Sequence, residues 1–330
     1  MSRPVPQIIY IAGYGRSGST VLDLLLGHLS PVVSVGELFM FFRPDELYRC
    51  SCGGRLQPPH SDTSPDETEC PFWRQVRQTY EQKISSTKRQ PVGGTPGLAF
   101  RRSIEGFAAP LRSAFWGKPR SLQKSYNLQQ KILFEAIAEV SGKTIVVDSS
   151  KTALEVAWRP IMLQRATGYP VKVIHLVRDG RAVMWSALRG CNRRLERGET
   201  DAALTWPRLR SALGWVQANL SAGLHRWLLP SGSIFYLSYE QLTRHPAKQL
   251  TRLGQFLQLD VSPLLAQLSH GHPIPPAHSL SGNRLRHVGL SELREDNAWR
   301  SHLSWFSQLL YWLLCWPVHL WLRKSQRLIS

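Results

Sequence analysis

Three observations in the 330-residue sequence predict an α/β fold, with a central, mostly parallel sheet flanked by helices. Short apolar runs that suit burial on both faces recur along the chain, segments of helical periodicity follow them, and glycine-rich or polar turns separate the two. The first run, Ile8 to Ala12, leads through GYGRSGST into TVLDLLLGHL, whose apolar spacing is helical. The next strands are TIVVD, ending at Asp148, then VKVIHLV from Val171 to Val177, then SIFYLSY, ending near Tyr239. RDGRAVMWSALR, directly after VKVIHLV, has the apolar spacing of a helix. Sheets of this kind bind ligands beyond the carboxyl ends of their strands, and the polar residues of interest fall there.

Two stretches interrupt the alternation. Cys50 to Cys70 is rich in Pro, Ser, Asp and Cys, and KRQPVGGTPG from Lys88 to Gly97 has the composition of a flexible loop. Phe72 to Lys83 and Asn127 to Val140 are helical in pattern, so residues 40–140 are expected to form a helical and loop insertion that faces an acceptor. With residues 301–330 as a Trp/Leu-rich helical extension, the chain 1–330 is read as one domain without internal repeats. Within that extension, Trp305 to Leu322 carries Ser307, Gln308, Pro317 and His319. These count against a membrane span, which needs about 20 predominantly apolar residues. A spanning or re-entrant segment, an interfacial amphipathic helix and ordinary packing remain open for it.

A hydrophobic content of 42% is enough for a sizeable core. Lys and Arg total 41 against 23 Asp and Glu, a formal charge of +18. Such a surface attracts anions: nucleotides, sulfated or phosphorylated substrates, nucleic acid or acidic membrane. No nucleic-acid-binding motif accompanies the charge, and tryptophans gathered at one end are unlike the basic and aromatic interleaving of a nucleic-acid groove. The start, MSRPVPQIIYIAGYG, lacks the apolar region and cleavage site of a signal peptide, so a cytoplasmic location is expected. Five cysteines imply no disulfide framework.

GYGRSGST, Gly13 to Thr20, has the glycine spacing and terminal Thr of a phosphate-binding P-loop, but Ser19 stands where the lysine of that motif belongs. Its glycines let backbone N–H groups turn inward around an anion, while the following helix points its positive end at the same place. The missing lysine would reach the β- and γ-phosphates, so the loop is poorly equipped for ATP hydrolysis. The expected architecture is therefore a P-loop-type three-layer domain with a second anion site after VKVIHLV. There Arg178 can fork two bonds to a phosphate, Asp179 can cap the next helix, and Ser186 lies about two turns on.

GYGRSGST, VGEL at Val35 to Leu38 and VRDGRAVMWS at Val177 to Ser186 together resemble the sulfotransferases that use 3′-phosphoadenosine 5′-phosphosulfate (PAPS), especially the bacterial branch and the protein-tyrosine sulfotransferases. YEQLTRHP from Tyr239 and SGNRLRH from Ser281, with Trp299 beyond, are similar to later family segments. The resemblance implies transfer of a sulfuryl group from PAPS to an acceptor hydroxyl, on a carbohydrate, small molecule, lipid-linked group or tyrosine. It implies that Gly15, Arg16, Ser17, Gly18, Ser19 and Thr20 hold the 5′-phosphosulfate and that Arg178 and Ser186 hold the 3′-phosphate. Tyr239 would lie near the adenosine, and Arg284 would close over the 3′-phosphate. Glu37 is the implied base, and Arg16 and Lys151 are the implied cations beside the leaving group. Asp148 ends its strand as the Walker B aspartate of an NTPase does, but without the loop lysine an orienting role is expected for it. No metal is required for such a displacement. The surplus positive charge suits an anionic or sugar-bearing acceptor, and equally PAPS alone, while the tryptophans of residues 305–322 point to an acceptor at a membrane and peripheral membrane contact.

The rival readings are a P-loop kinase or NTPase, opposed by Ser19, and a non-enzymatic basic protein that docks on acidic membrane. The cysteines of CSCGG, with Cys70, resemble a bacterial pattern and leave three states open: a zinc site with His60, a disulfide or redox pair, or reduced thiols. The C-x-C spacing is tighter than most zinc sites use.

Overall fold

Each apolar run anticipated from the sequence forms a strand in the computed structural model, which describes residues 6–42, 49–54, 56, 69–87, 104–110, 120–189 and 207–327. The elements in order are β1 (Gln7–Ala12), α1 (Ser19–Gly27), β2 (Val32–Ser34), α2 (Pro71–Ser85), α3 (Arg120–Ser141), β3 (Ile145–Asp148), α4 (Arg159–Thr167), β4 (Val171–Val177) and α5 (Gly180–Leu188). They continue with α6 (Pro207–Leu224), β5 (Ile234–Ser238), α7 (Tyr239–Arg244), α8 (Pro246–Leu257), α9 (Ser262–Ser269), α10 (Leu285–Val288), α11 (Trp299–His302) and α12 (Trp305–Arg327). The segment Lys88 to Gly97 and His60 lie outside the described residues.

The sheet order is β2-β3-β1-β4-β5, with every neighbouring pair parallel. β2 adds to the four strands expected from the sequence, because a three-residue edge strand is too short to show a pattern. Period-two alternation then sorts the core into layers. Ile8, Tyr10 and Ala12 of β1 face Trp73 and Val76 of α2, Phe134 and Ile137 of α3 and Leu163 of α4. Ile9 and Ile11 face Leu22 and Leu25 of α1 and Leu250, Leu253 and Leu257 of α8. Helices thus cover both faces, and the two helices of the 40–140 region belong to one of the covering layers.

Beneath that layer lies a buried ionic knot. Arg159 donates from Nε to Asp148 Oδ2 at 2.9 Å and from Nη1 to Glu105 Oε1 at 2.5 Å, with all three residues at most 1% exposed. Asp148 Oδ1 also accepts from the backbone N–H of Leu38 (3.3 Å) and of Ser150 (3.0 Å). One carboxylate thus pins the chain beside Glu37 and the chain beside Lys151.

A third cluster joins α5, α6, α11 and α12 through Val183, Met184, Trp215, Trp299, Tyr311, Cys315 and Val318. α12 is one helix with Pro317 inside it, buried along Tyr311, Cys315, Val318 and Leu322. Its other side exposes Trp305, Phe306, Leu309, Leu313 and Leu320, with Trp305 at 75% and Leu313 at 71%. Among the described residues no helix is long and apolar enough to cross a membrane, and α12 packs against α6 and α5.

Candidate functional site

The site forms where β1, β3 and β4 end. β1 turns through Gly13, whose φ of +127° brings it so close to β4 that a Cβ would stand 2.3 Å from the Leu176 carbonyl oxygen. The loop ends at Gly18, φ +93°, where a Cβ would strike the ring of Tyr239 at 2.3 Å. Glycine is required at both positions by backbone angle and by space. Ser19 then opens α1, so the loop lies at the positive end of a nine-residue helix.

Left-handed backbone without glycine also occurs here, at Arg16 with φ +68° and at Lys151 with φ +69°. Such strain costs on the order of 1–3 kcal/mol per residue and persists only where the surroundings enforce it. At Lys151 they do. Its N–H donates to the Ile11 carbonyl (3.2 Å), the next N–H, of Thr152, donates to the Gly13 carbonyl (3.0 Å), and the Tyr10 hydroxyl bonds its carbonyl oxygen. At Arg16 the carbonyl accepts from Arg178 Nη1 at 3.0 Å.

A cavity of about 400 Å³ opens at this point. Gly15, Arg16, Gly18, Ser19, Thr20, Glu37, Lys151, Arg178, Ser186 and Tyr239 all line it. The glycine loop and the arginine–serine pair, far apart in sequence, thus face one space. Lys151 Nζ forms an ion pair with Glu37 Oε1, with both side chains 14% exposed. Asp179 caps α5, accepting from the Arg181 N–H at 2.9 Å. Arg178 lies over the Tyr239 ring at 4.7 Å, and burial raises the pKa of that tyrosine above its ordinary value.

Two expected residues are not on the cavity wall. Ser17 is buried beneath the loop, and its Oγ has no hydrogen-bond partner among the described residues. Arg284 is exposed at the start of the short α10, while Ser281, Gly282, Asn283 and Leu285 around it line the cavity.

Two residues that the sequence did not single out do line it, Arg189 and Asp296. Asp296 Oδ2 stands 3.4 Å from Arg178 Nη2 and 3.2 Å from Arg189 Nη2, so one carboxylate occupies the gap between two guanidinium groups. A phosphate would suit the same gap. Arg189 was findable, since it caps the helix that carries Ser186 and lies three residues beyond it, on the same side. Asp296 carries no sequence signal. A second cavity of about 490 Å³ shares Arg178, Tyr239 and Asp296 with the first and extends toward Arg181, Glu240 and Trp299.

With a cavity at the carboxyl ends of parallel strands, fronted by a glycine loop and lined by Arg178 and Arg189, the chain is a three-layer α/β protein of the P-loop type. A sequence model described as the sulfotransferase family matches residues 6–263, and the chain belongs to that family. Among solved structures, the sulfotransferase domain from the curacin biosynthetic pathway is similar at 19% identity and TM-score 0.45, over 88% of this chain and 85% of that one. The sulfotransferase domain from the Synechococcus PCC 7002 olefin synthase is similar at 18% identity and TM-score 0.41, over 92% and 86%. Sulfotransferase STF9 from Mycobacterium avium is similar at 15% identity and TM-score 0.44, over 81% and 69%. No curated protein matches the chain.

Proposed function

We propose that this sulfotransferase-family chain moves a sulfuryl group from PAPS to an acceptor hydroxyl by in-line displacement, without a metal at the reacting centre. The observation that carries this reading is that one cavity collects the glycine loop, Arg178 and Ser186. A donor with phosphate at both 3′ and 5′ positions has two separated anionic ends, and the two cationic regions match them. ATP is a poorer match. Its γ-phosphate would lack the lysine that Ser19 replaces.

The donor supplies the sulfuryl group and a phosphate leaving group. The loop N–H groups, Thr20 and the α1 N-terminus hold the 5′ end, while Arg178, Arg189 and Ser186 hold the 3′-phosphate in the gap now filled by the Asp296 carboxylate. Lys151, released from Glu37, turns its ammonium group with Arg16 toward the bridging oxygen, where charge accumulates as the S–O bond breaks. Glu37 is then left facing the acceptor and takes the hydroxyl proton as the acceptor oxygen bonds to sulfur. The electron pair of the broken bond remains on the phosphate of adenosine 3′,5′-bisphosphate. Thus the ion pair between Lys151 and Glu37 serves as a resting state for the two groups.

We place the acceptor at an anionic membrane surface. Trp305, Phe306, Leu309 and Leu313 offer an exposed apolar strip, Arg323 and Lys324 follow on the same helix, and the chain carries a formal charge of +18. The test is transfer from labelled PAPS to a panel of hydroxyl acceptors, each supplied free and in anionic vesicles. Label on an acceptor with stoichiometric bisphosphate release is expected, faster on vesicles than in solution. Transfer at equal rates from both would contradict the membrane placement, and bisphosphate release that ignores every acceptor would contradict transfer.

A further inference from the structure

A second cluster of reactive side chains lies outside the anion cavity. Cys50 and Cys52 come from the CSCGG turn, Cys70 immediately precedes α2, and His278 belongs to the segment between α9 and α10. Their ligand atoms all lie within 4.8 Å of one another. His278 Nδ1 is 3.7 Å from Cys50 Sγ and 3.4 Å from Cys70 Sγ. Around a tetrahedral zinc, with Zn–S of about 2.3 Å and Zn–N of about 2.0 Å, neighbouring ligand atoms stand roughly 3.4–3.8 Å apart. The two sulfur–imidazole distances therefore match those of a metal cage, and all four ligand atoms lie near enough to close on one ion. A disulfide would use two of the sulfurs at about 2.0 Å and leave the third sulfur and the imidazole without a purpose.

The backbone holds these groups in place. The Cys50 N–H donates to the Gly54 carbonyl (2.8 Å) and the Gly53 N–H to the Cys50 carbonyl (2.9 Å), with Gly53 at φ +91°, a tight turn that carries Cys52 back beside Cys50. The His278 ring stacks on Phe72 at 5.0 Å and 15°, and its carbonyl accepts from Trp73 Nε1 at 3.0 Å. Ser51 and Ser279 exchange bonds, the Ser51 N–H donating to the Ser279 carbonyl (3.2 Å) and the Ser279 N–H to Ser51 Oγ (2.8 Å).

We propose that Cys50, Cys52, Cys70 and His278 bind one structural zinc ion that staples the segment carrying His278 across the mouth of the anion cavity. Three thiolates and an imidazole in a four-atom cage select zinc by softness and geometry, and the exposed Cys52 gives the ion a way in. The expected fourth ligand, His60, lies outside the described residues, and His278 fills that place.

The consequence reaches the site. Two residues past His278, the Leu280 carbonyl accepts from the Glu37 N–H at 2.7 Å, and the Leu280 N–H donates to the Val35 carbonyl at 2.9 Å. Ser279 Oγ bonds Asp23 Oδ2 of α1 at 3.2 Å. Ser281, Gly282 and Asn283 line the cavity, and the Asn283 N–H donates to Thr20 Oγ1 at 3.1 Å. Loss of the ion would free one wall of the cavity and the backbone support of Glu37.

The test needs no knowledge of the acceptor and is independent of the choice of donor. Full-length protein purified without chelator is expected to carry about one zinc per chain by elemental analysis. After removal of the zinc, titration with Co²⁺ is expected to give the intense visible absorption of tetrahedral thiolate-bound cobalt, saturating at about one equivalent. Chelation is expected to lower the thermal midpoint, and zinc to restore it. Cys52→Ser, at an exposed position, retains the fold by circular dichroism but loses the saturating cobalt band, whereas Cys70→Ser and His278→Ala lose the metal outright. A Cys50–Cys70 disulfide found by mass spectrometry without reduction, or a reduced protein that binds neither zinc nor cobalt stoichiometrically, overturns the proposal.

Discussion

Glu37→Gln is expected to lose about 10²–10⁴-fold in turnover, the usual contribution of a positioned general base, while binding adenosine 3′,5′-bisphosphate as well as the parent protein. The substitution is nearly isosteric, and the backbone holds position 37 independently of its side chain. Gly36, at φ +72°, lies so close to Leu280 that a Cβ would meet its carbonyl oxygen at 2.5 Å. On either side, Glu37 donates to the Leu280 carbonyl and Leu38 to Asp148. A glutamine at this position would therefore keep its place and lose the ability to take a proton. The variant also releases Lys151 from its ion pair, so bisphosphate binding should not weaken. Turnover at the parent rate would remove Glu37 from the role of base.

Arg159→Met should cost about 3–5 kcal/mol of stability, because it strips the shared cation from two carboxylates that remain buried. Asp148 and Arg159 are fully buried, and Glu105 is 1% exposed. Burial alone would lower the affinity of Arg159 for its proton, but Glu105 and Asp148 outweigh it and raise that affinity. A denaturant midpoint measures the loss. Adding Glu105→Gln and Asp148→Asn should recover part of it, since neutral amides do not carry the penalty of unpaired charge. Should the single variant unfold at the parent midpoint, the knot contributes nothing to the fold. Because Asp148 holds both Leu38 and Ser150, the change should also loosen the two loops that carry Glu37 and Lys151.

The sheet was legible because parallel strands buried on both faces leave continuous apolar runs, as IIYIA and VKVIHLV do. The loop was legible because its glycines answer a local demand of backbone angle, met at Gly13 and Gly18. Arg178 and Ser186 were legible because they flank one helix cap, the first just before it and the second on the helix it opens. What escaped was tertiary. His278 meets Cys70 across 208 residues, and Asp296 meets Arg178 across 118, and no local pattern reports such a meeting. For Arg284 the motif located only the segment: Asn283 and Leu285 line the cavity, while Arg284 is exposed and Arg286 buried, and which side chain turns inward depends on tertiary packing.

The most direct measurement is the thermal midpoint of the protein with adenosine 3′,5′-bisphosphate, with ATP and Mg²⁺, and with adenosine 5′-monophosphate. A ligand that binds only the folded state at about 100 times its Kd adds about 2.7 kcal/mol of apparent stability, well within reach of the method. The bisphosphate alone is expected to raise the midpoint strongly, and Arg178→Ala is expected to reduce that rise toward the response to the monophosphate. A larger response to ATP with Mg²⁺, or an equal response to all three nucleotides, would contradict a cavity built to grip phosphate at both ends of one adenosine.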